Sequence, residues 1–207
     1  MKALVITAYI SKSEYIELEN DFDMVICADG GYERAKELEI AADYIIGDYD
    51  SASSPPSSED GNTIFLPTEK DMTDTEAALT LAIEKGATDI TIAGGLGGRF
   101  DHTMGNIGIL AGYNSEKIKV SIMDGQNHVA MLNPGSHTIK KEIYKYVGII
   151  SYGETARGVT LTGFKYPLRG FDLKNNTSLG VSNEITGKQG TIEFEEGRLL
   201  VIRSRDL

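Results

Sequence analysis

The sequence predicts an α/β half followed by an all-β half, and three observations carry that prediction. Up to about residue 125, short apolar runs alternate with segments of helical spacing, the pattern of an open, mostly parallel sheet. From residue 126 onward no helical period appears, only short β-type runs separated by Gly, Pro, Asn or Asp. Carboxylates and glycines also gather directly after the apolar runs of the first half, where parallel sheets place their ligands. The expected domains are therefore 1–125 and 126–207.

Taken in order, KALVITA (2–8), MVICAD (24–29), DYIIGD (43–48), NTIFLP (62–67), DITIAG (89–94) and IKVSIMD (118–124) read as strands. Each is a nearly continuous apolar run, as strands covered on both faces are. Helices are expected over 31–39, 73–86 and 101–113. In the second, Leu79, Ala82 and Ile83 keep helical spacing, and Thr73 with Glu76 forms a capping box. In the third, Gly105, Gly108 and Gly112 are expected to share a face and admit close packing. Strands interleaved with helices in this way make a Rossmann-like α/β domain. The later runs, HVAMLNPG (128–135), SHTIKK (136–141), YKYVGIISY (144–152), GVTLTGFKYPL (158–168), TSLGVSNEI (177–185), GTIEFEEG (190–197) and RLLVIRSR (198–205), read as an all-β sandwich. SASSPPSSEDG (51–61) reads as an exposed, mobile loop.

Composition narrows the class. With 41% apolar and 25% charged residues among 207, the chain has material for a real core. A net charge of −11 argues against nucleic acid as a partner, because phosphate-backbone affinity comes from Lys and Arg. Cys27 is the sole cysteine, so neither an internal disulfide nor a cysteine zinc site is available, which points to a reducing compartment. No run approaches the roughly 18 apolar residues of a membrane helix. The short run at 3–10 contains Thr7 and reads as a first strand, not a signal peptide. The expected setting is cytoplasmic, with no membrane partner.

Four successive strand ends carry chemistry: Asp29 and Gly30 with Gly31; Asp48 and Asp50; Asp71 and Asp74; and the stretch Gly94, Gly95, Gly97, Gly98, Arg99, Asp101 and His102. In an extended segment Asp48 and Asp50 leave the same face. Together with Asp71 and Asp74 they offer oxygen ligands without Cys or His, a donor set that suits Mg²⁺. The plain alternative is that Asp71 and Asp74 complement a helix dipole and that Asp50 with Ser51 makes a turn. Uncompensated carboxylates at adjacent strand ends repel, which favours the metal. The glycine-rich turn lets backbone N–H groups approach an anion at a helix start, and Arg99 can clamp a phosphate. Neither the G-x-G-x-x-G nor the G-x-x-x-x-G-K-[ST] pattern is met. Asp101 reads equally as an N-cap, and His102 as a surface histidine.

In this order, ADGG (28–31), GDYDS (47–51), KDMTDTE (70–76), GGLGGRFDH (94–102) and SLGVSNE (178–184) resemble the thiamine pyrophosphokinase family over nearly the whole chain. The resemblance implies an α/β catalytic, nucleotide-binding domain, a β-sandwich that binds thiamine, and a homodimer with substrate sites between subunits. It implies Mg²⁺ held by Asp48, Asp50 and Asp74 with the ATP phosphates, and Asp71 close by. It puts Asp29, Gly30 and the segment from Gly94 to His102 on the nucleotide side, with Asp101 also facing thiamine. Ser182 and Asn183 are similar to the pair that contacts the thiamine pyrimidine. The implied reaction passes the pyrophosphoryl group of ATP to the thiamine hydroxyl and releases AMP, with Asp71 or Asp101 orienting or deprotonating that hydroxyl. The chain has no Trp, so any stacking falls to Tyr or Phe. Two rivals stay open: transfer to another small alcohol, and a non-enzymatic protein that binds a nucleotide or a carbohydrate.

Overall fold

The structure, a computed structural model, describes residues 1–19, 21–49 and 62–207. Asp50 and the stretch 51–61 lie outside the described residues. The chain divides into two compact units, Met1–Gly125 and Gln126–Leu207.

In the first unit the strands are β1 Lys2–Ile6, β2 Met24–Ala28, β3 Tyr44–Gly47, β4 Asn62–Phe65, β5 Asp89–Ala93 and β6 Lys119–Met123. The helices are α1 Gly31–Glu37, α2 Asp74–Glu84 and α3 Phe100–Tyr113. All neighbouring strands pair in parallel, in the order β4-β3-β2-β1-β5-β6. The apolar runs are buried as a two-sided sheet requires: Ile6, Ile26, Ile45, Ile90, Ile92 and Ile122 are fully sequestered. Each such side chain is worth about 1.5–3 kcal/mol of transfer free energy. The order reverses between β1 and β5, and that reversal opens a crevice at the carboxyl ends of the strands.

Helix α2 starts as its capping pattern predicts, with Thr73 Oγ1 accepting from Glu76 N at 3.2 Å. It buries Ala77, Ala78, Leu79 and Ala82. Tyr113 of α3 ties the two helices by donating to Glu76 Oε1 at 2.9 Å. The glycines of α3 behave otherwise than expected. A Cβ at Gly105, Gly108 or Gly112 would meet nothing within 4 Å, because α3 buries the side bearing Asn106, Ile109 and Leu110.

The second unit is a β-sandwich. Strands β7 Asn127–Leu132, β9 Tyr146–Ser151 and β13 Leu199–Ser204 form one antiparallel layer, with β13 in the middle. Strands β8 Gly135–Lys140, β10 Ala156–Thr162, β11 Leu168–Leu173 and β12 Gln189–Phe194 form the other, in the order β11-β10-β12-β8. Val147, Ile149, Val159, Leu161, Ile192, Phe194, Leu199 and Val201 fill the space between the layers. Two expectations are corrected. The run 158–168 is not one strand: β10 ends at Thr162, Gly163 turns with φ +79°, and a separate β11 follows. The run 177–185 is not a strand either: its ladder contacts are isolated bridges, Val147 to Asn183 and Phe164 to Ile185. Ser182 sits at φ +59°, which no extended strand accommodates.

On β7, His128 stands opposite Arg203 of β13, with its ring centroid 6.2 Å from that of Tyr144. Burial, reinforced by the Arg203 charge, pulls its imidazole down to about 4. The folded state therefore keeps His128 neutral while the unfolded chain, titrating near 6.5, takes up a proton. Stability contributed by His128 is complete above pH 6.5 and is lost as pH falls from 6.5 towards 4. The wild type should lose about 2 kcal/mol more unfolding free energy between pH 7 and pH 4.5 than His128→Gln, measured by urea denaturation.

Candidate functional site

At the carboxyl edge of the first unit's sheet lies a cleft of about 470 Å³, within the range of small-molecule sites. Thr7, Ala8 and Tyr9 line it after β1, Asp29 after β2, Lys70, Met72 and Asp74 ahead of and within α2, and Gly95, Gly97, Gly98 and Arg99 after β5. His102 and Asn106 of α3 close one side.

Three carboxylates meet at this edge. Asp29, Asp48 and Asp74 each offer an oxygen, and the three oxygens lie within 4.8 Å of one another. Local geometry explains the approach. A Cβ at Gly47 would stand 2.9 Å from Asp29 Cα, so only glycine lets the ends of β2 and β3 come this close. Asp29 N donates to Ile46 O at 2.8 Å and locks the two ends together. Asp74, the residue after the Thr73 cap, begins α2 and is partly buried against the sheet edge.

Lys70 answers part of this charge. Its Nζ lies 2.9 Å from Asp48 Oδ2 and 3.1 Å from Asp74 Oδ1, the latter an ion pair without hydrogen-bond alignment. All three side chains are at most 20% exposed. Burial pushes the Asp74 carboxyl above its usual range; Lys70 pulls it down, and Asp48 and Asp29 push it up again. Burial works against the charge on Lys70, yet the pull of the Asp48 and Asp74 carboxylates prevails and raises its ammonium above the ordinary value. Asp29 Oδ1 and the Tyr49 hydroxyl are buried without a hydrogen-bond partner among the described residues. Burial first, then the Asp29 and Asp74 charges, raise the Tyr49 phenol.

Across the cleft, Gly94, Gly95, Gly97 and Gly98 all have positive φ, at +96°, +73°, +82° and +63°. A Cβ at Gly94 would fall 2.3 Å from both Thr7 Oγ1 and Tyr9 O, so the loop lies flush against the end of β1. The N–H groups of Gly94, Gly95 and Gly97 are used within the chain, donating to Met123 O, Tyr9 O and Thr103 Oγ1. The turn thus shapes the cleft more than it offers these three donors to an anion. Arg99 is exposed and grips Asp101 twice, Nη2 to Oδ2 at 2.6 Å and Nε to Oδ1 at 3.3 Å. That guanidinium holds the Asp101 carboxyl below the usual range, helped by the His102 N–H that donates to Asp101 Oδ1 at 3.0 Å.

The residues singled out by sequence are therefore distributed unevenly. Asp48 and Asp74 converge; Asp29, expected on the nucleotide side, joins them, and Gly30 begins α1 as its N-cap. Asp71 is exposed and outside the group, and Asp50 lies outside the described residues. Ser182 and Asn183 belong to the second unit. Ser182 is exposed, whereas Asn183 is 3% exposed and acts as a clamp. Its Oδ1 accepts from Tyr166 N at 3.0 Å and Glu184 N at 2.9 Å, while its Nδ2 donates to Tyr166 O at 2.8 Å. Sequence reading missed Lys70, Tyr49 and Asn106, whose Nδ2 donates to Gly95 O at 2.8 Å. A lysine four residues before Asp74 was the available signal for the first; Tyr49 and Asn106 carried none. Cys27 is fully buried, and burial pushes its thiol up to about 12, which makes it inert.

Fold and cleft together define an α/β protein whose ligand crevice lies at a topological switch point, followed by a β-sandwich. The chain belongs to the thiamin pyrophosphokinase family: the model of that family's catalytic domain matches residues 15–122, and that of its vitamin B1 binding domain residues 136–199. It is 42% identical over 139 residues to the thiamine pyrophosphokinase of Bacillus subtilis (strain 168), a stretch covering 67% of this chain and 65% of that protein. The match thus spans just under two thirds of that curated relative's length. The crystal structure of thiamine pyrophosphokinase from Bacillus subtilis superposes with a TM-score of 0.88 at 30% identity, covering 100% of both chains. That from Geobacillus thermodenitrificans gives 0.85 at 32%, covering 100% of this chain and 98% of the other.

The three bonds of the buried Asn183 side chain predict a structural cost for its loss. Asn183→Ala should lower the unfolding free energy by about 2–3 kcal/mol in urea denaturation, since two backbone groups of Tyr166 lose their partner. A contact with substrate alone would leave the midpoint unchanged and move only KM.

Proposed function

We propose that the protein is a thiamine diphosphokinase, transferring the pyrophosphoryl group of ATP to the hydroxyl of thiamine to give thiamine diphosphate and AMP. The observation that carries this reading is the carboxylate group Asp29, Asp48 and Asp74 at the cleft edge, in a chain matching both domains of the family. Its donors are all oxygens, and Asp29 Oδ1 is buried without a hydrogen-bond partner among the described residues, which fits a hard divalent cation such as Mg²⁺. Asp29, Asp48 and Asp74 would hold it, with Asp50 as a further donor from its place two residues after Asp48. When bound, such an ion neutralises phosphate charge and polarises the phosphorus under attack.

The chain's own groups do the rest. Arg99, exposed and held by Asp101, is placed to exchange that partner for phosphate oxygens. Asp101, next to the cleft-lining Arg99 and His102, then orients the thiamine hydroxyl. Gly95, Gly97, Gly98 and His102 wall the nucleotide side of the cleft. Thiamine is the substrate of the β-sandwich unit, with Ser182 its exposed contact and Asn183 fixing the backbone beside it. Catalysis here is positioning and charge neutralisation, as in other transfers from ATP. The working form is a homodimer with substrate sites between subunits, in the cytoplasm.

Asp29→Asn, Asp48→Asn and Asp74→Asn should each lower kcat/KM by about two orders of magnitude while keeping the fold, as judged by circular dichroism. Near wild-type turnover in all three would remove the metal site. Product analysis tests the reaction itself: AMP and thiamine diphosphate are expected. An ATP analogue with a methylene between the α and β phosphorus should bind without reacting. ADP with thiamine monophosphate would replace this reading with a simple kinase.

A further inference from the structure

We infer that Lys70 is a built-in counter-ion that the divalent cation displaces from the carboxylates and that then serves the nucleotide's phosphates; this rests on the metal reading of the same site. The geometry argues it in three steps. First, Lys70 Nζ sits between Asp48 Oδ2 at 2.9 Å and Asp74 Oδ1 at 3.1 Å, the two acids flanking the approach from the β4–α2 connection. A metal bound at about 2.0–2.1 Å to oxygens of both needs the room that ammonium occupies. Second, Lys70 leaves part of the cluster untouched: among the described residues, Asp29 Oδ1 and the hydroxyl of the buried Tyr49 lack hydrogen-bond partners. Among the described residues one ammonium pairs with two of the three carboxylates, so a dication competes well for the position. Third, Lys70 also lines the open cleft, so an ammonium released from Asp48 and Asp74 stays on the wall where a triphosphate lies.

This arrangement makes a prediction of opposite signs. Lys70→Met keeps the length of the side chain and removes its charge. By isothermal titration without nucleotide, Mg²⁺ should bind Lys70→Met about tenfold more tightly than wild type, because no internal cation competes. With Mg²⁺ saturating, ATP should bind it about tenfold more weakly, because the phosphates lose a cationic partner. In EDTA its melting temperature should fall, and Mg²⁺ should restore it by more than in wild type. Lys117→Met, an exposed lysine ahead of the amino end of β6 and so at the opposite edge of the sheet, controls for general charge and should change neither affinity. Weaker binding of both ligands, or unchanged Mg²⁺ affinity in Lys70→Met, overturns the inference. Asp74→Asn separates the two ideas. If it abolishes Mg²⁺ binding while Lys70→Met binds Mg²⁺ as wild type does, the metal site stands and the role of Lys70 falls. If Asp74→Asn binds Mg²⁺ as wild type does, both fall.

Discussion

The repulsion among three carboxylates held within 4.8 Å of one another is the constraint around which the first unit is organised. A parallel sheet brings the carboxyl ends of its strands to one edge, so acids placed after successive strands converge whether or not a cation is present. Two unit charges 4 Å apart repel by about 1 kcal/mol in water and about 4 kcal/mol at the effective dielectric near a protein surface. Lys70 supplies one positive charge, Thr73 caps the helix that carries Asp74, and the N–H of Asp29 bonds across to Ile46. Each of these fixes an acid in place, and none removes the excess charge.

How much of this was legible depended on the range of the interactions involved. The six parallel strands were readable because two-sided burial demands unbroken apolar runs, and Ile26, Ile45 and Ile92 satisfy that demand. Helix α2 was readable because its cap is written within four residues. The second half was readable as a sandwich but not strand by strand. The turn at Gly163 cuts one β-rich run in two, and the segment around Ser182 and Asn183 is held by contacts to Tyr166 and Val147, far away in sequence. The acids were readable as strand-end residues, but their grouping was not. Asp71 and Asp74 look alike in sequence, yet only Asp74 follows the Thr73 cap and turns with α2 toward the sheet edge; Asp71 stays exposed.

The glycine-rich turn shows the same limit from the other side. Its composition announced backbone freedom, and four positive φ angles bear that out. Which partners its N–H groups find is a tertiary question. Those of Gly94, Gly95 and Gly97 are engaged with Met123, Tyr9 and Thr103, so the glycines bring the loop against β1 and shape the crevice instead of leaving those donors to a ligand.

Backbone strain falls beside the charge. Asp29 and Tyr49, neither of them glycine, take left-handed φ of +49° and +54° just past the ends of β2 and β3. Such conformations cost roughly 1–2 kcal/mol per residue and persist where surrounding contacts over-determine them. Here the contacts are visible: Gly47 admits the close approach, and the Tyr49 ring packs edge-on against Phe65 with centroids 5.3 Å apart. The same edge therefore concentrates unlike costs, namely repelling carboxylates, unpartnered oxygens and strained backbone. A cation at that edge would relieve the first two directly and leave the third as the geometry that aims the acids. The costs that bear on the first unit's stability thus gather on the same few residues that line this edge.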